Sequence, residues 1–145
     1  MDLIVDAHNH AILTIVERST NMLFMAKLAH GKKSGPLAKA VRHLLLPYKK
    51  HIKTITTDNG PEFAAHKLIT KYLGAVVYFA DPYASWQKGA IENTNKLIRQ
   101  YIPKQANFDD FTDKKIARIL KKINSRPRQK LSSETPKAEF FKRIA

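Results

Sequence analysis

The stretch Thr56-Thr57-Asp58-Asn59-Gly60-Pro61-Glu62-Phe63, "TTDNGPEF", decides how this chain is read. It joins an apolar, alternating run, "HIKTIT" (51–56), to a segment with helical spacing. A strand ends at Asp58 and a helix follows, with Pro61 suited to the first helical position. Asp, Asn and Gly are also ordinary turn formers, so in isolation Asp58 reads as a turn residue. The rest of the chain changes that reading.

Upstream lie three strand-like runs, "DLIV" (2–5), "AILTIVERS" (11–19) and "TNMLFMAKL" (20–28). Their connections are too short for helical crossovers, so they predict an antiparallel meander. "GKKSGP" (31–36) reads as a loop, and Leu37, Val41, Leu44 and Leu45 then fall at helical spacing until Pro47. "IKTIT" is the fourth strand. A second helix is expected from about Pro61 to Leu73, with Leu68, Ile69 and Tyr72 on one face and Gly74 as its stop. "AVVYFA" (75–80) is the fifth strand. The order is βββαβαβ, an α/β class. After the loop "DPYASWQKG" (81–89), a third helix runs from Gly89 or Ala90 to about Ile102. A fourth carries Ile116, Ile119, Leu120 and Ile123, and a last one opens at Thr135-Pro136. With no repeat or linker, residues 1–145 read as one domain.

Composition narrows the partners. A chain of 145 residues, 43% hydrophobic, can bury a real core. No apolar run is long enough to span a bilayer, and no signal peptide is seen, which argues against a membrane partner. The absence of cysteine excludes disulfides and thiolate metal sites and fits a reducing, cytoplasmic setting. Lys and Arg number 26 against 12 Asp and Glu, a net charge of +14 with pI near 10.1. A domain this basic usually meets a polyanion.

On the third helix, Glu92, Lys96 and Arg99 share one stripe, while Ile91, Thr94, Ile98, Tyr101 and Ile102 gather on the other side. A solvated Glu→Lys pair, worth a few tenths of a kcal/mol, is the ordinary reading of that stripe. The strand ends suggest another. If the first and fourth strands are neighbours, Asp2 and Asp58 lie side by side, and the third helix can bring Glu92 to them. Three clustered carboxylates are costly unless something neutralises them. Hard oxygen ligands without sulfur point to Mg²⁺ or Mn²⁺. Such ions can activate a nucleophilic oxygen and stabilise the leaving oxygen of a phosphodiester, while a basic surface holds the backbone.

"TTDNGPEF", "YFADPYASWQKGAIENTNKLIRQY" (78–101) and "NSRPRQKL…TPKAEF" closely resemble the catalytic core of DDE transposases of the insertion-sequence-thirty type, relatives of retroviral integrases in the RNase H-like superfamily. The resemblance covers nearly the whole chain. Its most specific part runs from Asp58 to Glu92, with 33 residues between the two acids. It implies a five-stranded mixed sheet, three antiparallel strands and then two parallel ones, flanked by helices. It also implies a catalytic, metal-binding triad of Asp2, Asp58 and Glu92, with Mg²⁺ as cofactor. The activity implied is cleavage of transposon ends and joining of the freed 3′-hydroxyl to target DNA. Lys96 and Arg99 correspond to basic residues that touch DNA. Asn59 and Gly60 would shape the turn presenting Asp58, whereas Glu62 reads equally as a surface acid. The partners implied are transposon-end and target DNA and further copies of the chain, as a homodimer or larger homo-oligomer. The setting implied is cytoplasmic and nucleoid-associated.

The resemblance has departures. The upstream helix-turn-helix region of the family is absent from this sequence, and Asp2, one residue from Met1, is expected to fray. Asp6 is a fallback acid that reads as a turn. Trp86 suits a loop anchor or base stacking, and Gln87 and Lys88 are loop donors placed to reach DNA. His8, His10, His30, His43, His51 and His66 lack metal-binding spacing. Arg126, Arg128 and Lys130 read as a solvated basic loop or a DNA contact, and Glu17 as structural. Two other readings stand beside the transposase core: a catalytically weak nucleic-acid-binding or dimerising module, and a nuclease of the same superfamily.

Overall fold

The computed structural model describes residues 1–29, 31–58, 60–80 and 89–145. Three strands, β1 (Asp2–Val5), β2 (Ala11–Val16) and β3 (Leu23–Leu28), form the expected antiparallel meander in the order β1-β2-β3. Asn9 and Asn21, at φ near +60°, make the two reversals possible. Asp2 pairs with Thr14 and the ladder continues to Val5 and Ala11. Asp2 is therefore a paired strand residue, not a frayed end. β4 (Thr54–Thr57) and β5 (Val76–Phe79) run parallel, with Thr54 opposite Val76.

Three antiparallel strands and two parallel ones match the expected set, but their ladders form two sheets. Met1 joins them. Its ammonium donates to the Thr56 carbonyl at 2.6 Å, and the Thr57 hydroxyl donates to the Met1 carbonyl at 3.3 Å. Through Met1, β1 thus lies next to β4 at this end.

Strand alternation builds three layers. Ala11, Leu13 and Ile15 of β2 face one core, with Leu37 and Val41 of α1 (Ser34–Leu45) and Ile69 and Leu73 of α2 (His66–Leu73). Ile12 faces the other, with Ile4, Leu23 and Met25. There α3 (Gly89–Tyr101) contributes Ile98, and α4 (Asp113–Asn124) contributes Ile116 and Ile123. Each fully buried aliphatic side chain favours this packing by about 1.5–3 kcal/mol. Asn124 pins α4 to β3, accepting from Leu23 N at 2.9 Å and donating to Leu23 O at 3.0 Å. α5 (Pro136–Ile144) closes one end through Phe140, edge-on to Phe24 and Tyr48.

Several boundaries differ from the sequence reading. α1 starts at Ser34, inside the expected loop, because Pro36 is tolerated in a first helical turn. Pro47 does not end the helical path, which continues as a 3₁₀ segment over Leu46–His51. The expected second helix is split into a 3₁₀ turn at Pro61–Phe63 and α2. Its stop is Gly74 at φ +68°. Leu73 is buried, Tyr72 packs half-buried against the same core and Leu68 is exposed, so the apolar stripe of α2 is Ile69, Tyr72 and Leu73. Thr112 and Thr135 cap α4 and α5 through their hydroxyls.

Candidate active site

The geometry begins with the alternation of β1 and β4. Met1 and Ile55 point into the core beneath α1 and α2. Asp2 and Asp58, one step out of phase with them, lie on the opposite face, toward α3. β1 and β4 are neighbours at this end; Asp2 opens β1, and Asp58 is the residue that follows β4. Both are half-buried. Asp2 Oδ1 accepts from Leu3 N at 2.8 Å, and Asp2 Oδ2 accepts from Asn95 Nδ2 on α3 at 3.0 Å. The buried Thr14 hydroxyl, on the strand residue paired with Asp2, lies 3.3 Å from Asp2 O and 3.4 Å from Asn95 Oδ1. Asn95 therefore ties the third helix to the first acid.

The two faces of α3 are as its sequence predicts. Ile91, Thr94, Ile98 and Ile102 are buried, whereas Glu92 and Lys96 are exposed. Glu92 precedes Asn95 by three residues, about 4.5 Å along the axis and on the same side of the helix. The contact between Asn95 and Asp2 thus carries Glu92 to the Asp2–Asp58 end of the strands. Among the described residues, no three His, Cys, Asp or Glu side chains converge closely enough to hold a metal ion. The donors are all carboxylate oxygens, and a neutral amide orients Asp2 without cancelling its charge. That chemistry fits a hard divalent cation.

The other predicted residues fall differently. Arg99 does not extend beside Lys96: its Nη1 donates to Ile102 O at 3.5 Å, at the end of its own helix. Burial lowers its pKa from the usual arginine range, although a guanidinium there stays charged. Gly60 is extended at φ −110°, a conformation open to any residue, and its carbonyl accepts from Phe63 N to start the 3₁₀ turn. What crowds it is the Glu62 carboxylate, 2.7 Å from where a Cβ would stand. Asn59, Trp86, Gln87 and Lys88 lie outside the described residues, as does His30.

Asp6 is more than a turn residue. Its buried carboxylate accepts from His8 N and His10 N at 2.9 Å, Phe108 N at 2.8 Å, and contacts His10 Nδ1 at 2.7 Å. Burial pushes its pKa up, but the hydrogen bonds, led by Phe108, outweigh this and hold it well below the usual carboxylate range. It fastens the β1–β2 turn to the α3–α4 connection, at the opposite end of β1 from Asp2. His10 also lies 3.4 Å from Asp109. Glu17 is structural: it closes its own turn by accepting from Ser19 and Thr20. In the basic loop, Arg128 and Lys130 donate to the carbonyls of Ile123 and Arg18.

Asn95 is the site residue that the sequence reading missed. Its signal was its position three residues after Glu92, on the same side of the helix as an acid already singled out.

The catalytic core domain of BIV integrase has the same fold, with a TM-score of 0.70 over 98% of this chain and 93% of that one, at 17% sequence identity. No protein-family model matches the chain. The sequence is 48% identical over 133 residues to the transposase for insertion sequence element IS4351 of Bacteroides fragilis, covering 92% of this chain and 40% of that protein. It is 36% identical over 145 residues to the transposase InsI for insertion sequence element IS30A of Escherichia coli (strain K12), covering 99% of this chain and 38% of that protein. Over the matched segment, the chain is similar to these transposases for insertion sequence elements. It spans about two fifths of the length of these relatives.

Proposed function

We propose that this chain is the part of a transposase that cuts and joins DNA, a metal-dependent polynucleotidyl transferase core. The observation that supports it best is the bond from Met1 to Thr56 O, which sets β1 beside β4, together with the bond from Asn95 of α3 to Asp2. Asp2, Asp58 and Glu92 would hold the divalent cations, Mg²⁺ or Mn²⁺. Those ions, when bound, supply activation of the attacking oxygen and neutralisation of the leaving one. The chain's own residues do the rest. Asn95, donating to Asp2 Oδ2, would fix the direction of that carboxylate. Lys96 offers an exposed ammonium one turn after Glu92, at a distance from the acids suited to a flanking phosphate. Trp86, Gln87 and Lys88 precede α3 and would meet the strand being cut.

The partner would be DNA, and the net charge of +14 favours approach to a phosphodiester backbone. Copies of the chain would pair on two DNA ends. In the test, the chain, with whatever further segments its gene supplies, is mixed with a terminal-repeat duplex and Mn²⁺ or Mg²⁺. Nicking and joining are scored beside Asp58→Asn. Metal binding is read separately, as a rise in thermal midpoint with added Mn²⁺ that Asp58→Asn removes. Joining that persists in Asp58→Asn would overturn the assignment. The absence of a closed three-acid cluster among the described residues favours a second reading, a DNA-binding module without chemistry. In that case DNA binds, and Mn²⁺ moves neither the midpoint nor the DNA.

A further inference from the structure

Arg128 Nε is buried and has no hydrogen-bond partner among the described residues. A buried N–H left unmet costs about 1–3 kcal/mol. The other end of the guanidinium is anchored, because Nη2 donates to Ile123 O at 3.2 Å, near the end of α4. Burial, and after it the neighbouring charge of Arg126, lowers the Arg128 pKa from the usual arginine range, although the group stays charged. Among the described residues, no carboxylate forms an ion pair with Arg128 or with Lys130. In α5, by contrast, Lys142 and Arg143 lie 4.0 Å and 3.6 Å from Glu139.

Both unpaired cations line a polar cleft of about 220 Å³, together with Asn21, Asn93 and Thr94. Three segments build it: the loop after α4, the reversal between β2 and β3, and the first turns of α3. Arg126 Nη1 donates to Gln100 Oε1 at 3.4 Å and lays the loop along α3. Lys130 ties the loop to the β2–β3 reversal through Arg18 O. One bond to that carbonyl leaves two N–H groups of the exposed ammonium to spare. The cleft thus gathers two cations and two side-chain amides, with no acid among its lining residues. Its place on α3 relates it to the proposed active site. Asn93 and Thr94 stand between Glu92 and Asn95 in sequence, and at about 100° per residue they turn to the flank of the helix opposite Asn95.

We propose that this cleft is a phosphate site, and that it takes one backbone phosphate of duplex DNA lying across the first turns of α3. Arg128 and Lys130 supply the charge, and Asn21 and Asn93 supply amide N–H groups. A phosphate oxygen is the acceptor that the buried N–H of Arg128 lacks. The anion chemistry stands on the cleft itself; the proposal rests on the transposase reading only for DNA as the source of the phosphate. Free inorganic phosphate offers the same oxygens, and the experiment separates the two.

The test uses buffer without divalent metal. The NMR signal of the Arg128 Nε–H is followed while a short duplex, or inorganic phosphate alone, is added. The duplex is expected to shift it at concentrations where inorganic phosphate does not. In parallel, duplex affinity is measured against salt by anisotropy. Arg128→Gln combined with Lys130→Gln should lower the slope of log affinity against log salt by about 2. Lys130→Gln alone, which leaves the Arg128 contact with Ile123 in place, should lower it by about 1. Lys142→Gln combined with Arg143→Gln removes the same charge from α5 and should lower it less. Equal changes for the two pairs would show an effect of net charge and overturn the proposal. An Nε–H signal that the duplex leaves unmoved would overturn it too, whether or not inorganic phosphate moves it. Loss of nicking and joining with these slopes as expected would refute the proposed chemistry alone. Slopes unchanged in the loop variants, beside active joining, would refute the phosphate site alone.

Discussion

Replacing Asp6 with Asn tests the argument that one buried carboxylate locks the end of the fold away from the acids. Asp6 Oδ1 accepts from His8 N and His10 N, and Oδ2 accepts from Phe108 N and contacts His10 Nδ1. An asparagine keeps one acceptor oxygen, so the turn amides of His8 and His10 remain bonded. Its amide nitrogen then faces Phe108 N–H, donor against donor, in a residue that is fully buried. The change removes a charge-assisted bond, about 1.5–3 kcal/mol, and leaves a buried N–H unmet, about 1–3 kcal/mol. Because these overlap, a net loss of about 3 kcal/mol is expected. For a chain of this size that is roughly 10 °C in thermal midpoint. Urea unfolding of both proteins at neutral pH measures it.

The pH dependence follows from the same bonds. The folded Asp6 titrates below its unfolded value of 3.8, so its stabilisation is complete above that pH and is lost as pH falls below it. The stability difference between wild type and Asp6→Asn should be constant from pH 7 to about pH 5 and shrink below about pH 4. A loss under 0.5 kcal/mol at neutral pH, or a difference that grows on acidification, would refute this account of the buried carboxylate.

Asn95→Ala should unfold at nearly the wild-type urea concentration yet lose about tenfold to a hundredfold in strand-transfer activity or Mn²⁺ affinity, since it orients a ligand without being one. Asn95→Gln, which keeps the amide at a different reach, should lie between the two. Lys96→Ala should weaken binding to any duplex alike and lower the slope of log affinity against log salt by about 1, measured by anisotropy titration. Arg99→Ala should alter that slope less, because its guanidinium donates to Ile102 O. Asn124→Leu removes both bonds to the backbone of Leu23, so about 2–4 kcal/mol should disappear from the unfolding free energy.

Much of the architecture was legible in the chain itself, for local reasons. Alternation in "AILTIV" marks a two-sided central strand, and β2 does feed a core on each face. Gly74 marks the end of α2 because only a left-handed residue closes it there. The buried side of α3 was readable from a 3.6-residue period. The helix starts were less legible. Ser34 and Pro36 look like loop residues in sequence, and packing of Leu37 and Val41 against the sheet overrides that preference. The long-range site was readable only in part. Asp58 and Glu92 stand out by motif, and the sequence could state that β1 and β4 might adjoin, but not that they do.

Sequence alone determined the composition of the site, because residue type fixes chemistry: carboxylates without thiolates, in a chain with a large excess of cations. It also determined the elements, because hydrophobic period is a local property. Tertiary structure decided which ends meet. The bond from Met1 to Thr56 sets β1 beside β4, and Asn95 reaches across 93 residues of sequence to hold Asp2. It likewise turned Arg99 back onto its helix and committed Asp6 to Phe108, 102 residues away. Such pairings depend on burial and register between distant segments, and no local pattern of residues encodes them.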